Sequence, residues 1–84
     1  MSVTLYVGNI SYSMKDDDLK NAFGQYGEVV SVKIIIDKRT GKSKGYGFVE
    51  MDSDASADEA LKNMNGKELA GRNVKVNKAN SQAE

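Results

Sequence analysis

Residues 44–51, KGYGFVEM, decide how the rest of this chain is read. Residues 45–51 form a strand pattern in spite of two glycines, because aromatic and β-branched residues alternate with small ones. In a pleated strand, Gly45, Gly47, Val49 and Met51 share one face and Lys44, Tyr46, Phe48 and Glu50 the other. One face is thin and apolar, and the other carries two aromatic rings two residues apart. Glycines on the thin side are expected to let a helix approach closely.

Working outward, residues 37–44 (DKRTGKSK) form a basic loop with one glycine for its turn, and residues 29–36 (VVSVKIII) a strand with Val30, Val32 and Ile34 inward and Ser31, Lys33 and Ile35 outward. Residues 16–26 read as a helix. Leu19, Ala22, Phe23 and Tyr26 make its apolar stripe, Asp16, Asp17 and Asp18 complement the dipole at its start, and Gly27 ends it. Residues 3–8 (VTLYVG) are a strand with Leu5 and Val7 on one side and Thr4, Tyr6 and Gly8 on the other. On the C-terminal side, residues 55–64 form a second helix with Ala57, Ala60, Leu61 and Met64 on one stripe. Asn65-Gly66 and Ala70-Gly71 are turn signals, and residues 73–78 a last strand with Val74 and Val76 inward and Asn73, Lys75 and Asn77 outward.

The order is βαββαβ. Two amphipathic helices can cover only one face of a four-stranded antiparallel sheet, which gives an α+β, split βαβ (ferredoxin-like) architecture with one face open. Residues 1–80 are expected to form the single domain and residues 81–84 a short polar tail.

Composition narrows the chemistry. The 84 residues contain neither Cys nor His, so disulfides, the usual zinc ligands and His-based acid–base catalysis are absent. There is no apolar run near the length of a membrane span, and MSVTLYV carries neither a basic stretch nor a cleavage site, so no membrane association or signal peptide is expected. Twelve basic and twelve acidic residues cancel. Taken alone, this zero net charge argues against nucleic acid. The charges are segregated, however. Lys33, Lys38, Arg39, Lys42 and Lys44 cluster against one acid, Asp37, and Arg72, Lys75 and Lys78 form a second basic group. Such segregation can make one face of a neutral molecule positive.

On the open face the pattern collects Tyr6, Tyr46 and Phe48, with Lys33, Ile35, Lys44, Lys75 and Asn77 around them. Three rings exposed among cations want an explanation, and base stacking provides one: each stacked base contributes roughly 1–3 kcal/mol, while nearby cations neutralise phosphates. The chain is too short for a second layer that would turn these rings into core.

KGYGFVEM is similar, at every position but the last, to the octamer of the RNA recognition motif family, and LYVGNI (residues 5–10) resembles that family's first-strand hexamer. The resemblance covers essentially the whole chain. Its compactness resembles the small stand-alone RNA-binding proteins of bacteria. The resemblance implies that Tyr6, Tyr46 and Phe48 stack on bases or a ribose and that Lys44 pairs with phosphate. It also implies that Asn9 orders the strand–helix junction, that Lys33, Lys75 and Asn77 contact RNA, and that residues from Lys78 to Asn80 can touch the ligand. Arg39 and Lys42, in the loop beside Lys44, join the expected contacts.

Two positions depart from the family pattern. Met51 replaces an aromatic residue on the core side, which changes packing and leaves the binding face alone. Lys15 stands where a Ser or Thr usually caps the first helix and offers no oxygen to the exposed N–H groups, although Met14 and Leu19 can still form a hydrophobic staple around it.

The expected function is binding of single-stranded RNA, without catalysis, cofactor or metal, by a monomer in the cytoplasm. Alternatives are single-stranded DNA, because stacking tolerates either sugar, and a protein-interaction module of the same fold. Small phosphatases share this architecture, but the turn GNISYS has no Arg or Lys to cradle a phosphate. Asp16–Asp18 read as dipole partners rather than metal ligands.

Overall fold

Alternating apolar residues first produce the strands, and their pairing then produces the sheet. A computed structural model of the chain describes residues 2–41 and 43–79, and only the backbone of Ser43 and Lys44. In chain order the elements are β1 (Val3–Gly8), α1 (Asp16–Phe23), β2 (Val29–Ile36), β3 (Ser43–Met51), α2 (Asp54–Met64), β4 (Glu68–Leu69), β5 (Arg72–Asn73) and β6 (Lys75–Lys78). β2, β3, β1 and β6 lie side by side in that order as an antiparallel sheet. β4 and β5 form a separate two-stranded hairpin.

Leu5 and Val7 of β1, Val49 and Met51 of β3 and Val76 of β6 are fully buried. They meet Leu19 and Phe23 of α1 and Ala57, Ala60 and Met64 of α2 in one apolar cluster. Each large side chain buried there contributes about 1.5–3 kcal/mol. Both helices therefore cover the same face, and the opposite face stays open.

The helix ends follow from their caps. At α2, the Ser53 hydroxyl accepts the Ser56 N–H at 3.2 Å. At α1, Lys15 occupies the cap with no oxygen of its own, and the Asp18 carboxylate accepts the Lys15 N–H at 2.9 Å, half of a capping box. α1 stops at Phe23 rather than running to residue 26. Gly24 donates to the Lys20 carbonyl, and Tyr26 then closes a turn back to the Phe23 carbonyl, which keeps its ring against the core. Gly27 thus serves packing rather than helix termination. A Cβ there would stand 2.0 Å from the Ser56 hydroxyl oxygen, so only glycine lets α2 come this close.

Strict alternation fails in β2 and β3 at two places. Val29 pairs with Met51 and Ser31 with Glu50, so Val30 is the extra residue of a bulge. It is 54% exposed, against the inward expectation, and Val29 packs on the core instead. Nearer the loop, Ile34 pairs with Gly47 but Ile36 with Ser43, so residues 44–46 of β3 stand opposite Ile35 alone. Gly45 absorbs the irregularity at φ +89°, in the left-handed region that favours glycine. Gly47 has a different reason. A Cβ on it would lie 2.6 Å from the Lys33 carbonyl oxygen and 2.9 Å from Ile34 Cα. The close neighbour is the backbone of β2, not a helix.

The last strand is shorter than expected. Asn73 belongs to the β4–β5 hairpin, whose turn residues Ala70 and Gly71 both have positive φ, as a two-residue primed turn requires. Val74 then carries the chain, fully buried, into β6.

Candidate nucleic-acid interface

Strand register places the aromatic side chains. Tyr6 pairs with Phe48 on one side and Asn77 on the other, and Phe48 pairs in turn with Lys33. One row across the open face is therefore Lys33, Phe48, Tyr6, Asn77. In the next row Gly8 stands between Tyr46 and Lys75. Gly8 is needed there because a Cβ would meet the Tyr6 ring at 2.6–3.0 Å. The ring thus lies along the strand over Gly8.

The three rings form a triangle with centroids 5.9 Å (Tyr6–Tyr46), 6.0 Å (Tyr6–Phe48) and 6.4 Å (Tyr46–Phe48) apart. Tyr46 and Phe48 meet at 89° and Tyr6 and Tyr46 at 33°. Edge-on and tilted contacts hold each ring against its neighbours while a portion of each remains exposed. All three are half-buried on a face that nothing covers. In the row on the other side of Phe48, the Glu50 carboxylate accepts from the hydroxyls of Ser31 and Ser2. That end of the face carries an acid rather than cations.

The remaining expected residues divide. Lys33, Lys75 and Asn77 are exposed on the ring side. Lys78 is not brought there. It pairs with Leu5 and shares the inward parity of Val76, and its ammonium lies 2.9 Å from the Asp58 carboxylate of α2. The hydrogen bond and charge of Asp58 hold that ammonium above the usual lysine range. Arg39 is exposed in the β2–β3 turn, where its N–H donates to the Asp37 carboxylate. Lys42, Asn80 and the Lys44 side chain lie outside the described residues, and the alternation that would align Lys44 with the rings is interrupted at Gly45. Asn9, at φ +57°, donates to the Asn73 carbonyl and accepts from Arg72, so it ties the end of β1 to the hairpin before β6. The sequence reading assigned no site role to Tyr12 or Arg72, which border the rings. A signal existed for Arg72 in the Ala70-Gly71 turn just before it, but Tyr12 sits in a loop without periodicity. Among the described residues no cluster of acids could hold a metal ion, and no helix is long and apolar enough to cross a membrane.

Residues 5–75 match the family model described as RNA recognition motif. The chain belongs to the RNA recognition motif family. It is 46% identical over 82 residues to a putative RNA-binding protein, RbpE, of Nostoc, covering 98% of this chain and 83% of that protein. It is 47% identical over 76 residues to a glycine-rich RNA-binding, abscisic acid-inducible protein of Zea mays, covering 90% of this chain and 48% of the relative. The chain thus spans about half the length of the plant relative. The solved structure of the Rna15 recognition motif with bound RNA (GU) superposes with a TM-score of 0.83 at 31% identity, covering 92% of this chain and 82% of that one. The hexamer and octamer of this recognition motif therefore lie where the ring triangle is built, on adjacent central strands.

Proposed function

We infer that the chain binds single-stranded RNA on the open sheet face by base stacking, without turnover. The observation that carries this reading is the triangle of Tyr6, Tyr46 and Phe48, half-buried on an uncovered face with Lys33 and Lys75 at its margins. A ring offers every base the same flat apolar platform, so the affinity tolerates sequence. Phosphates meet Lys33, Lys75 and the basic residues at the start of β3, Arg39, Lys42 and Lys44, the last two entering on their sequence positions alone. Asn77, level with Tyr6, offers an amide to a base edge. One copy of the chain carries all three rings, so a monomer suffices. The relatives' printed names and the RNA-bound neighbour support the ligand class.

The test is fluorescence anisotropy with short oligoribonucleotides. Tyr46→Ala combined with Phe48→Ala should cost roughly 2–6 kcal/mol of binding free energy if two stacking contributions add. Affinity should also fall as salt rises, because phosphates are neutralised. Unchanged affinity in the double variant overturns the reading, and salt-independent binding would point to a peptide ligand. Equal affinity for the matching oligodeoxynucleotide would widen the ligand to single strands of either sugar.

A further inference from the structure

The rings account for β1 and β3, but the open face continues past Tyr46 into a groove of ≈ 500 Å³. Tyr6 and Tyr46 form its inner wall, and Asn9, Tyr12, Arg72 and Lys75 line the rest. Tyr12, in the β1–α1 loop, is 68% exposed, the highest value among the exposed large apolar side chains. Its position is nevertheless defined. A Cβ on Gly45 would stand 3.7 Å from Tyr12 Cε1, so the ring lies along the residue that precedes Tyr46.

The opposite wall is organised around a cation. The Arg72 guanidinium donates to the Asn9 side-chain oxygen from Nε at 3.3 Å and from Nη2 at 3.0 Å. Asn9 is itself held by donating to the Asn73 carbonyl at 2.8 Å. This arrangement aims a planar guanidinium while using two of its five N–H donors, and Asn9 brings no charge to neutralise it. Among the described residues, the ion pair between side chains is Lys78–Asp58, remote from this groove on the helix side. Lys75 adds a second exposed cation on the same margin.

We propose that this groove is a further nucleotide subsite: the base of the nucleotide next to the one on Tyr46 stacks on Tyr12, and its phosphate lies against Arg72 and Lys75. The site rests on the reading of the sheet as an RNA-binding face and extends it by one nucleotide. Continuity decides the occupant. The groove shares Tyr6 and Tyr46 with the ring triangle, so a strand leaving Tyr46 enters it directly. An exposed ring beside an oriented guanidinium fits a base with its phosphate, since the first supplies a platform and the second binds phosphate through paired donors.

The experiment compares oligouridines of two to eight nucleotides by fluorescence anisotropy on the wild-type chain, Tyr12→Ala, Tyr12→Phe, Arg72→Gln and the Tyr46→Ala/Phe48→Ala double variant. In the wild type, affinity should rise with length to a plateau. In Tyr12→Ala the plateau should come one nucleotide earlier and lie about 5- to 150-fold weaker, the span of one stacked base. Tyr12→Phe should restore it, because the platform is the ring and not the hydroxyl. Arg72→Gln should weaken the longer oligomers and flatten their salt dependence, with little effect on the shortest. Wild-type plateau length and affinity in Tyr12→Ala, with binding still lost in the double variant, would overturn the subsite and leave the sheet reading intact. Wild-type affinity in the double variant would overturn both.

Discussion

The two faces of the sheet are built from the same strands by the same alternation, yet they have opposite tasks. On the helix side Leu5, Val7, Val49, Met51 and Val76 are fully buried, and their contribution is stability. On the other side Tyr6, Tyr46 and Phe48 stay half-exposed and lean only on one another. The difference shows how a small domain separates folding from binding: a period of two assigns neighbouring residues to different free energies. Glycine marks the places where a side chain would spoil either face. Gly8 leaves room for the Tyr6 ring on the open side, and Gly47 leaves room for the β2 backbone on the core side.

The comparison can be broken by substitutions that should affect one face and spare the other. The largest effect is expected for Tyr46→Ala/Phe48→Ala, which should remove roughly 2–6 kcal/mol of RNA affinity. Its thermal melt should stay close to that of the parent. A collapse of the fold would mean that the rings are structural. Leu5→Ala should do the reverse, costing about 2–5 kcal/mol of stability in urea denaturation through a cavity in the core. Affinity measured where the protein remains folded should not change. Gly47→Ala tests whether the sheet tolerates thickness at its centre. Its methyl would collide with β2 backbone that cannot swing aside, and a loss of about 1–3 kcal/mol is expected. An unchanged melting temperature would show that β2 can shift.

The smallest effect lies away from both faces. Lys15→Thr should stabilise the domain by about 1 kcal/mol, because α1 gains a cap oxygen and keeps the Asp18 half of the box. A melt without gain would mean that Asp18 already suffices. RNA affinity should be the same in both chains.

Much of the interface was legible in advance because it depends on local geometry. Tyr46 and Phe48 share a face whenever residues 46–48 are extended, and Tyr6 joins them once β1 and β3 pair. The short α1 was less legible. Tyr26 continues the apolar period, but it stays at the core through a turn after Gly24 rather than through helix. The same holds for Lys78, whose partner Asp58 lies twenty residues earlier and comes near only when α2 packs under β6. Tyr12 and Arg72 are sixty residues apart, and no periodicity links a loop to a hairpin.

By itself, then, the sequence determined the order of elements, the two apolar stripes that cover one face, and the aromatic residues left on the other. These follow from periods of two and 3.6 that each segment satisfies alone. The tertiary structure decided where those periods stop. The bulges at Val30 and Gly45, the return of Lys78 to the helix side and the groove between Tyr12 and Arg72 all arise from how closely one backbone can approach another. Such approaches are set by packing between distant segments, which no single stretch of sequence contains.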